Sequence, residues 1–79
     1  MIADRAYRLI ITRGGLAPAV LANPERADHI EVVEVDSGEV VLFWDRAPRD
    51  ASRLAKQLRA DLARLDAADF IARWSTVED

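Results

Sequence analysis

The sequence contains no cysteine, and this absence excludes disulfide bridges and thiolate metal sites. A secreted scaffold held together by bridges is therefore disfavoured, and a reducing cytoplasm is the expected compartment. Long hydrophobic runs are missing too. The amino-terminal stretch MIADRAYRLIITRGG has an early acid at Asp4, a short apolar run from Leu9 to Thr12 and no small-residue cleavage site. It has the features of neither a signal peptide nor a membrane span, so we expect no membrane association.

Histidine is scarce as well, since His29 is the only one in the chain. With Glu31 it forms an H-x-E pair that shares one face of a predicted strand, and such a pair could hold a metal or act as a weak acid–base pair. A zinc site usually takes three or four protein ligands, and the chain has no second histidine or cysteine to supply them. A metal or small-molecule binder around His29 and Glu31 is therefore only the third hypothesis for function.

Catalysis is disfavoured by the same scarcity. The serines and threonines have no histidine partner in a recognisable pattern, and nucleophilic catalysis needs such a base or an equivalent. We therefore expect a non-catalytic protein without a cofactor.

The amino-acid composition is typical of a globular protein, and we expect a single domain that covers residues 1–79. The chain is 51% hydrophobic and 32% charged, which is close to the globular average. A chain of 79 residues buries roughly 60 to 65% of its unfolded surface, so its stability should be modest unless something supplements the core. A partner subunit is the obvious supplement.

Alternating apolar residues predict a first strand in YRLIITR, where Tyr7, Leu9 and Ile11 share a face. The glycine pair at 14–15 ends this strand, because adjacent glycines favour a turn. The segment APAVLA, residues 17–22, predicts a short helical turn.

A β-hairpin is predicted where HIEVVEV and EVVLFWD flank DSG, with Gly38 as the left-handed residue of the turn. A two-residue turn would place Glu31 opposite Trp44. A three-residue turn with a bulge at Gly38 would place Ile30 opposite Trp44 and Val33 opposite Val41. The second register is favoured because it gives Trp44 an apolar neighbour.

A long amphipathic helix is predicted to begin between Pro48 and Asp50. Its apolar positions fall within a stripe about 100° wide, which we expect to pack on the sheet. The stripe consists of Ala51, Leu54, Ala55, Leu58, Leu62 and Leu65. The opposite face is basic and carries Arg49, Arg53, Lys56 and Arg64, with Arg59 at its edge.

Three large apolar side chains, Phe70, Ile71 and Trp74, follow this helix in the sequence. If the helix continued unbroken through Asp66, they would lie roughly opposite the leucine stripe and stand in water. The spacing therefore requires either a change of chain direction or a second molecule that covers them.

We expect the chain to bend at residues 66–68, with Asp66 as a new N-cap and Asp69 completing an imperfect capping box. Residues 67–74 then form a second short helix. Two alternatives stay open: a straight helix whose aromatic end is buried by another subunit, and a closing strand in FIARWST.

Together these elements predict an α+β fold. A three-stranded, mostly antiparallel sheet, formed by a strand, a short helical turn and a β-hairpin, packs against one long helix, with a short C-terminal helix beside it.

The expected function is that of a small cytoplasmic interaction or regulatory protein that forms a homodimer or binds another protein. A small sheet with apolar groups on both faces, together with an aromatic C-terminal segment, exceeds what one amphipathic helix can cover. The predicted contact residues are Phe43, Phe70, Ile71 and Trp74, because buried aromatic groups dominate contact energies.

The alternative function is a nucleic-acid-binding module on the basic helix face. The cations Arg49, Arg53, Lys56, Arg59 and Arg64 could neutralise phosphates, and an exposed Trp74 could stack on a base. Against this hypothesis stand the net charge of −3, the sequence pI of about 5.0 and the acids that flank the same helix.

Overall fold

The computed structural model describes residues 1–12 and 27–77. The elements along the chain are α1 (Ala3–Ala6), β1 (Tyr7–Thr12), β2 (Asp28–Glu34), β3 (Val40–Arg46), α2 (Pro48–Arg64) and α3 (Ala67–Trp74). This arrangement is the predicted α+β fold, with a three-stranded antiparallel sheet, a long helix and a short C-terminal helix. The helical turn predicted at residues 17–22 lies outside the described residues, and the short helix α1 is an addition to the prediction.

The strands lie in the order β1-β2-β3, and each pair is antiparallel. Residues that face each other across neighbouring strands share a face of the sheet. The inner face carries Ile30 and Val32, which are fully buried, and Trp44, which lies opposite Ile30. This pairing confirms the favoured register at Trp44.

The bulge lies elsewhere than predicted. Val33 pairs with Val40, and not with Val41 as predicted, because the register shifts between Val32 and Val33. The extra residue is therefore inside β3, and both Val40 and Val41 lie beside Val33.

The hairpin loop is longer than the predicted turn. The Glu34 N–H donates to the Glu39 carbonyl, and the Gly38 N–H donates to the Glu34 carbonyl, both at 2.8 Å. The loop therefore consists of residues 35–38. Gly38 has a φ of 75°, the left-handed conformation that was predicted for it and that glycine adopts without a steric penalty.

The predicted apolar stripe of α2 covers the inner face of the sheet. Its alanines and central leucines are buried, and its outer leucines pack half-buried against the same core. Pro48 occupies the first turn, where its missing N–H would have had no helical partner.

The chain bends between α2 and α3, as predicted. Leu65 and Asp66 are extended, with ψ angles of 152° and 153°, and Asp66 caps α3 by accepting a hydrogen bond from the Ala68 N–H at 3.4 Å. The straight helix and the closing strand are therefore both wrong.

The amino-terminal segment holds this bend in place. The Ala3 N–H donates to the Leu65 carbonyl and the Ala67 N–H donates to the Met1 carbonyl, both at 2.8 Å. The Met1 amino group lies 2.8 Å from the Asp66 carboxylate. This hydrogen bond, supported by the one from the Ala68 amide, lowers the pKa of Asp66 below its ordinary value of 3.8.

The bend turns the aromatic side chains of α3 into the core. Phe70 and Trp74 are buried, and they lie on one face of α3 because they are one helical turn apart. The Trp44 and Trp74 rings form a T-shaped contact at a centroid distance of 6.0 Å, and Phe70 stacks on Tyr7 at 6.0 Å.

Candidate partner surface

In the described part of the chain, no helix covers the face of the sheet opposite α2. Cross-strand pairing places its side chains in three rows: Arg8, Val33 and Val40 with Val41; Ile10, Glu31 and Phe43; Thr12, His29 and Asp45. We call this set the outer sheet face. Its β1 and β3 members are exposed and its β2 members are half-buried, because the described helices pack on the inner face.

Most of the outer sheet face around the half-buried Glu31 of the central strand is apolar. Relative exposures are 49% for Val40, 38% for Val41, 46% for Phe43 and 41% for Ile10. Val33 is half-buried between Arg8 and the valine pair. The bulge in β3 enlarges this patch, since it presents two valines where a regular strand would present one.

The predicted His29 and Glu31 pair lies on this face. The nearest carboxylate to the imidazole is, however, that of Asp45 on β3, which contacts His29 Nδ1. The His29 ring also stacks on Phe43 at a centroid distance of 5.7 Å. Within residues 1–12 and 27–77, no group of three or more His, Cys, Asp or Glu side chains is arranged to hold a metal ion.

The predicted contact residues separate into two groups. Phe70 and Trp74 are core residues, with relative exposures of 0% and 4%, and Ile71 is half-buried against the same cluster. They contact the rest of their own chain because the bend before α3 turns them inward. Phe43 lies on the outer sheet face, and the prediction of a partner contact now depends on it.

The predicted basic face is present on α2, where Arg49, Arg53 and Lys56 are exposed. Arg64, in contrast, donates to Asp61 at 3.0 Å. Trp74 is buried, so it is not available to stack on a base as an exposed side chain would. The nucleic-acid hypothesis stays a prediction that depends on the cations alone.

Sequence reasoning did not select Ile10, Val33, Val40 and Val41 as contact residues. The signal was present in the alternation of β3, where Val41 and Phe43 fall on one face. It became specific only when the structure showed which face α2 covers. None of the helices in the described part of the chain has the length and apolarity of a membrane span.

Comparison with known proteins finds no family model, no curated protein and no solved structure that matches this chain. Function must therefore be inferred from the chemistry of the surface itself.

Proposed function

We propose that this chain is a small, non-catalytic interaction protein that forms a homodimer through its outer sheet face. The main support for this proposal is a contiguous apolar patch, whose β3 members are all more than a third exposed. The patch is formed by Val33, Val40, Val41 and Phe43. Contiguous apolar patches with a polar rim are typical of protein contact sites. A cytoplasmic location suits this role, since a chain without cysteine gains nothing from an oxidising compartment.

A second copy fits this patch because the helices of residues 1–12 and 27–77 leave one face of the sheet uncovered. Two sheets pack face to face about 10 Å apart, with alternate side chains interdigitating. The outer sheet face offers such alternation on every strand. Dimerisation would also supplement the core of a short chain, which buries a smaller fraction of its unfolded surface than a larger domain does.

The charges around the patch are compatible with self-association. In a two-fold dimer each patch meets a copy of itself, so a rim with one sign of charge would repel its partner. This rim carries both signs, with Arg8 on β1 and Asp45 on β3, and a further acid, Glu31, lies in the middle row between Ile10 and Phe43. Opposite charges can therefore face each other across the contact.

Replacement of Phe43 tests the proposal. Phe43→Glu places a carboxylate in the centre of the patch, where burial of an unpaired charge is unfavourable. Sedimentation velocity of the wild-type chain should show a species of twice the 8.8 kDa chain mass, and Phe43→Glu should sediment as a monomer.

The matched control is Val77→Glu, which makes the same change of apolar group to carboxylate at a half-exposed side chain beyond α3. It should leave the dimer intact, and circular dichroism should show that both variants are folded. A wild-type monomer, or equal dimerisation of wild type and Phe43→Glu, would contradict the proposal.

A further inference from the structure

A cavity of about 550 Å³ lies beside β1, and Arg8 of the outer sheet face is among its lining residues. Its walls come from the amino-terminal segment, from β1, from Val35 after β2 and from the C-terminal half of α2. Ligand sites for small molecules typically have volumes of about 300 to 1,000 Å³. The cavity therefore has the size of a site for a small organic ligand.

Three arginines line this cavity: Arg5 from α1, Arg8 from β1 and Arg59 from α2. Asp4 is the acid among the lining residues, so the lining carries an excess of two positive charges. These cations come from separate elements, and the fold brings them together. Close like charges repel unless an anion neutralises them.

The guanidinium groups of these arginines are free to bind a ligand. In the part of the chain that the structure describes, none of them forms an ion pair or a hydrogen bond. Arg64 and Arg73 differ in this respect, since both are engaged by Asp61. Arg59 was predicted only as the edge of the basic helix face, and the cavity gives it a separate role.

The remaining lining is suited to an uncharged ligand body. Leu9 and the exposed Val35 supply apolar surface, and Tyr7 supplies a phenol. The Tyr7 ring is fixed by its stacking on Phe70, so it is part of a rigid wall. Such walls with a few polar groups are typical of small-molecule sites.

We propose that this cavity binds a small organic phosphate of nucleotide size. The phosphate is held by Arg5, Arg8 and Arg59, and the organic group rests on Leu9 and Val35. A guanidinium matches phosphate oxygens with two parallel hydrogen bonds. The excess of two positive charges matches a phosphate dianion better than a single carboxylate.

Calorimetric titration of the full chain at low salt tests this proposal, with adenosine monophosphate as the probe. Inorganic phosphate and adenosine are the two control probes, since the first has only the phosphate group and the second has only the organic group. We expect adenosine monophosphate to bind more tightly than either of them. Equal affinity for inorganic phosphate would overturn the assignment of an organic ligand, and no heat of binding for adenosine monophosphate would overturn the site.

Variants locate the binding. Arg59→Ala should weaken the binding of adenosine monophosphate by at least about tenfold, since a hydrogen bond to a charged group is lost. Arg59→Lys should lie between wild type and Arg59→Ala, because an ammonium group keeps the charge without the paired donors. Arg5→Ala provides a second variant if Arg59→Ala does not fold.

Arg53→Ala is the matched control, since Arg53 is an exposed arginine of the same helix that does not line the cavity. Its affinity should equal that of the wild type. Equal losses in Arg53→Ala and Arg59→Ala would show diffuse attraction to the basic helix and would overturn the proposal. Arg8 belongs both to the cavity and to the outer sheet face, whereas Arg53 and Arg59 lie outside that face, so the Arg59 variants distinguish failure here from failure of the dimer.

Discussion

Asp61 is a buried carboxylate that joins α2 to α3. It accepts a hydrogen bond from the Trp74 indole N–H at 3.0 Å and another from Arg64 at 3.0 Å. Arg73 lies 3.4 Å from the same carboxylate. Burial of a charge is tolerated when partners of this kind satisfy it, and these contacts fix α3 against α2.

Replacement of Asp61 by alanine should destabilise the fold by about 1 to 3 kcal/mol, because the Trp74 N–H then has no acceptor in the core. The arginines contribute less to this loss, since both are largely exposed and can turn to water. Asp61→Asn keeps an oxygen that can accept the hydrogen bond from the Trp74 N–H, so it should be destabilised less than Asp61→Ala. Urea unfolding measures the difference.

The control for this variant is Asp36→Ala in the exposed hairpin loop, which should change stability by less than about 0.5 kcal/mol. Equal unfolding midpoints for Asp61→Ala and Asp36→Ala would show that the buried carboxylate does not hold α3.

The position of Asp61 was visible in the sequence, and its partners were not. At about 100° per residue, Asp61 lies only about 20° from Leu54 on the helical wheel, within the apolar stripe. An acid at such a position requires a partner. Trp74 lies thirteen residues further along the chain, and it becomes a neighbour only because the helix ends at Arg64.

The bend between α2 and α3 is the element that determines what the core contains. Its cap, Asp66, is an exposed side chain that binds the Met1 amino group and the Ala68 N–H. Both contacts are strongest when the Asp66 carboxylate is ionised. The stability of the corner should therefore depend on pH.

Because the pKa of Asp66 is lower in the folded chain than its ordinary 3.8, the unfolded state binds the proton more readily. The stabilisation by Asp66 is thus fully present above pH 3.8 and is lost as the pH falls through the lower folded value. Asp66→Asn should be less stable than wild type at neutral pH, and the difference should shrink on acidification. Thermal unfolding across this range measures it, and a difference that is constant with pH would contradict the assigned contact.

Most elements were predictable because their periodicity is strong. The alternation of β1 and of the hairpin strands and the apolar stripe of α2 each define one face. The helix α1 was not predictable in this way, since four residues, Ala3 to Ala6, are too few to show a helical period and are held by a distant contact with Leu65. The bulge was misplaced because Val40 and Val41 are both apolar, so the pattern fits either register.

At the scale of the whole molecule, the described helices pack on one face of the sheet. Apolar groups on both faces were predictable from the sequence. Which of them remain exposed was not, because this depends on where α3 turns. Phe70 and Trp74 complete the core beneath the inner face, whereas Phe43 and the valines of β3 stay on the outer one.

Amide NMR spectra recorded at a series of protein concentrations test the proposed dimer most directly, since they report both whether copies associate and which residues form the contact. With increasing concentration, we expect shifts to concentrate at outer-face residues such as Ile10, Val33 and Phe43. The amides of Arg53 and Lys56 on the exposed face of α2 should not shift. Spectra that do not change with concentration, or changes that fall on α2 instead of the sheet, would contradict the proposed contact.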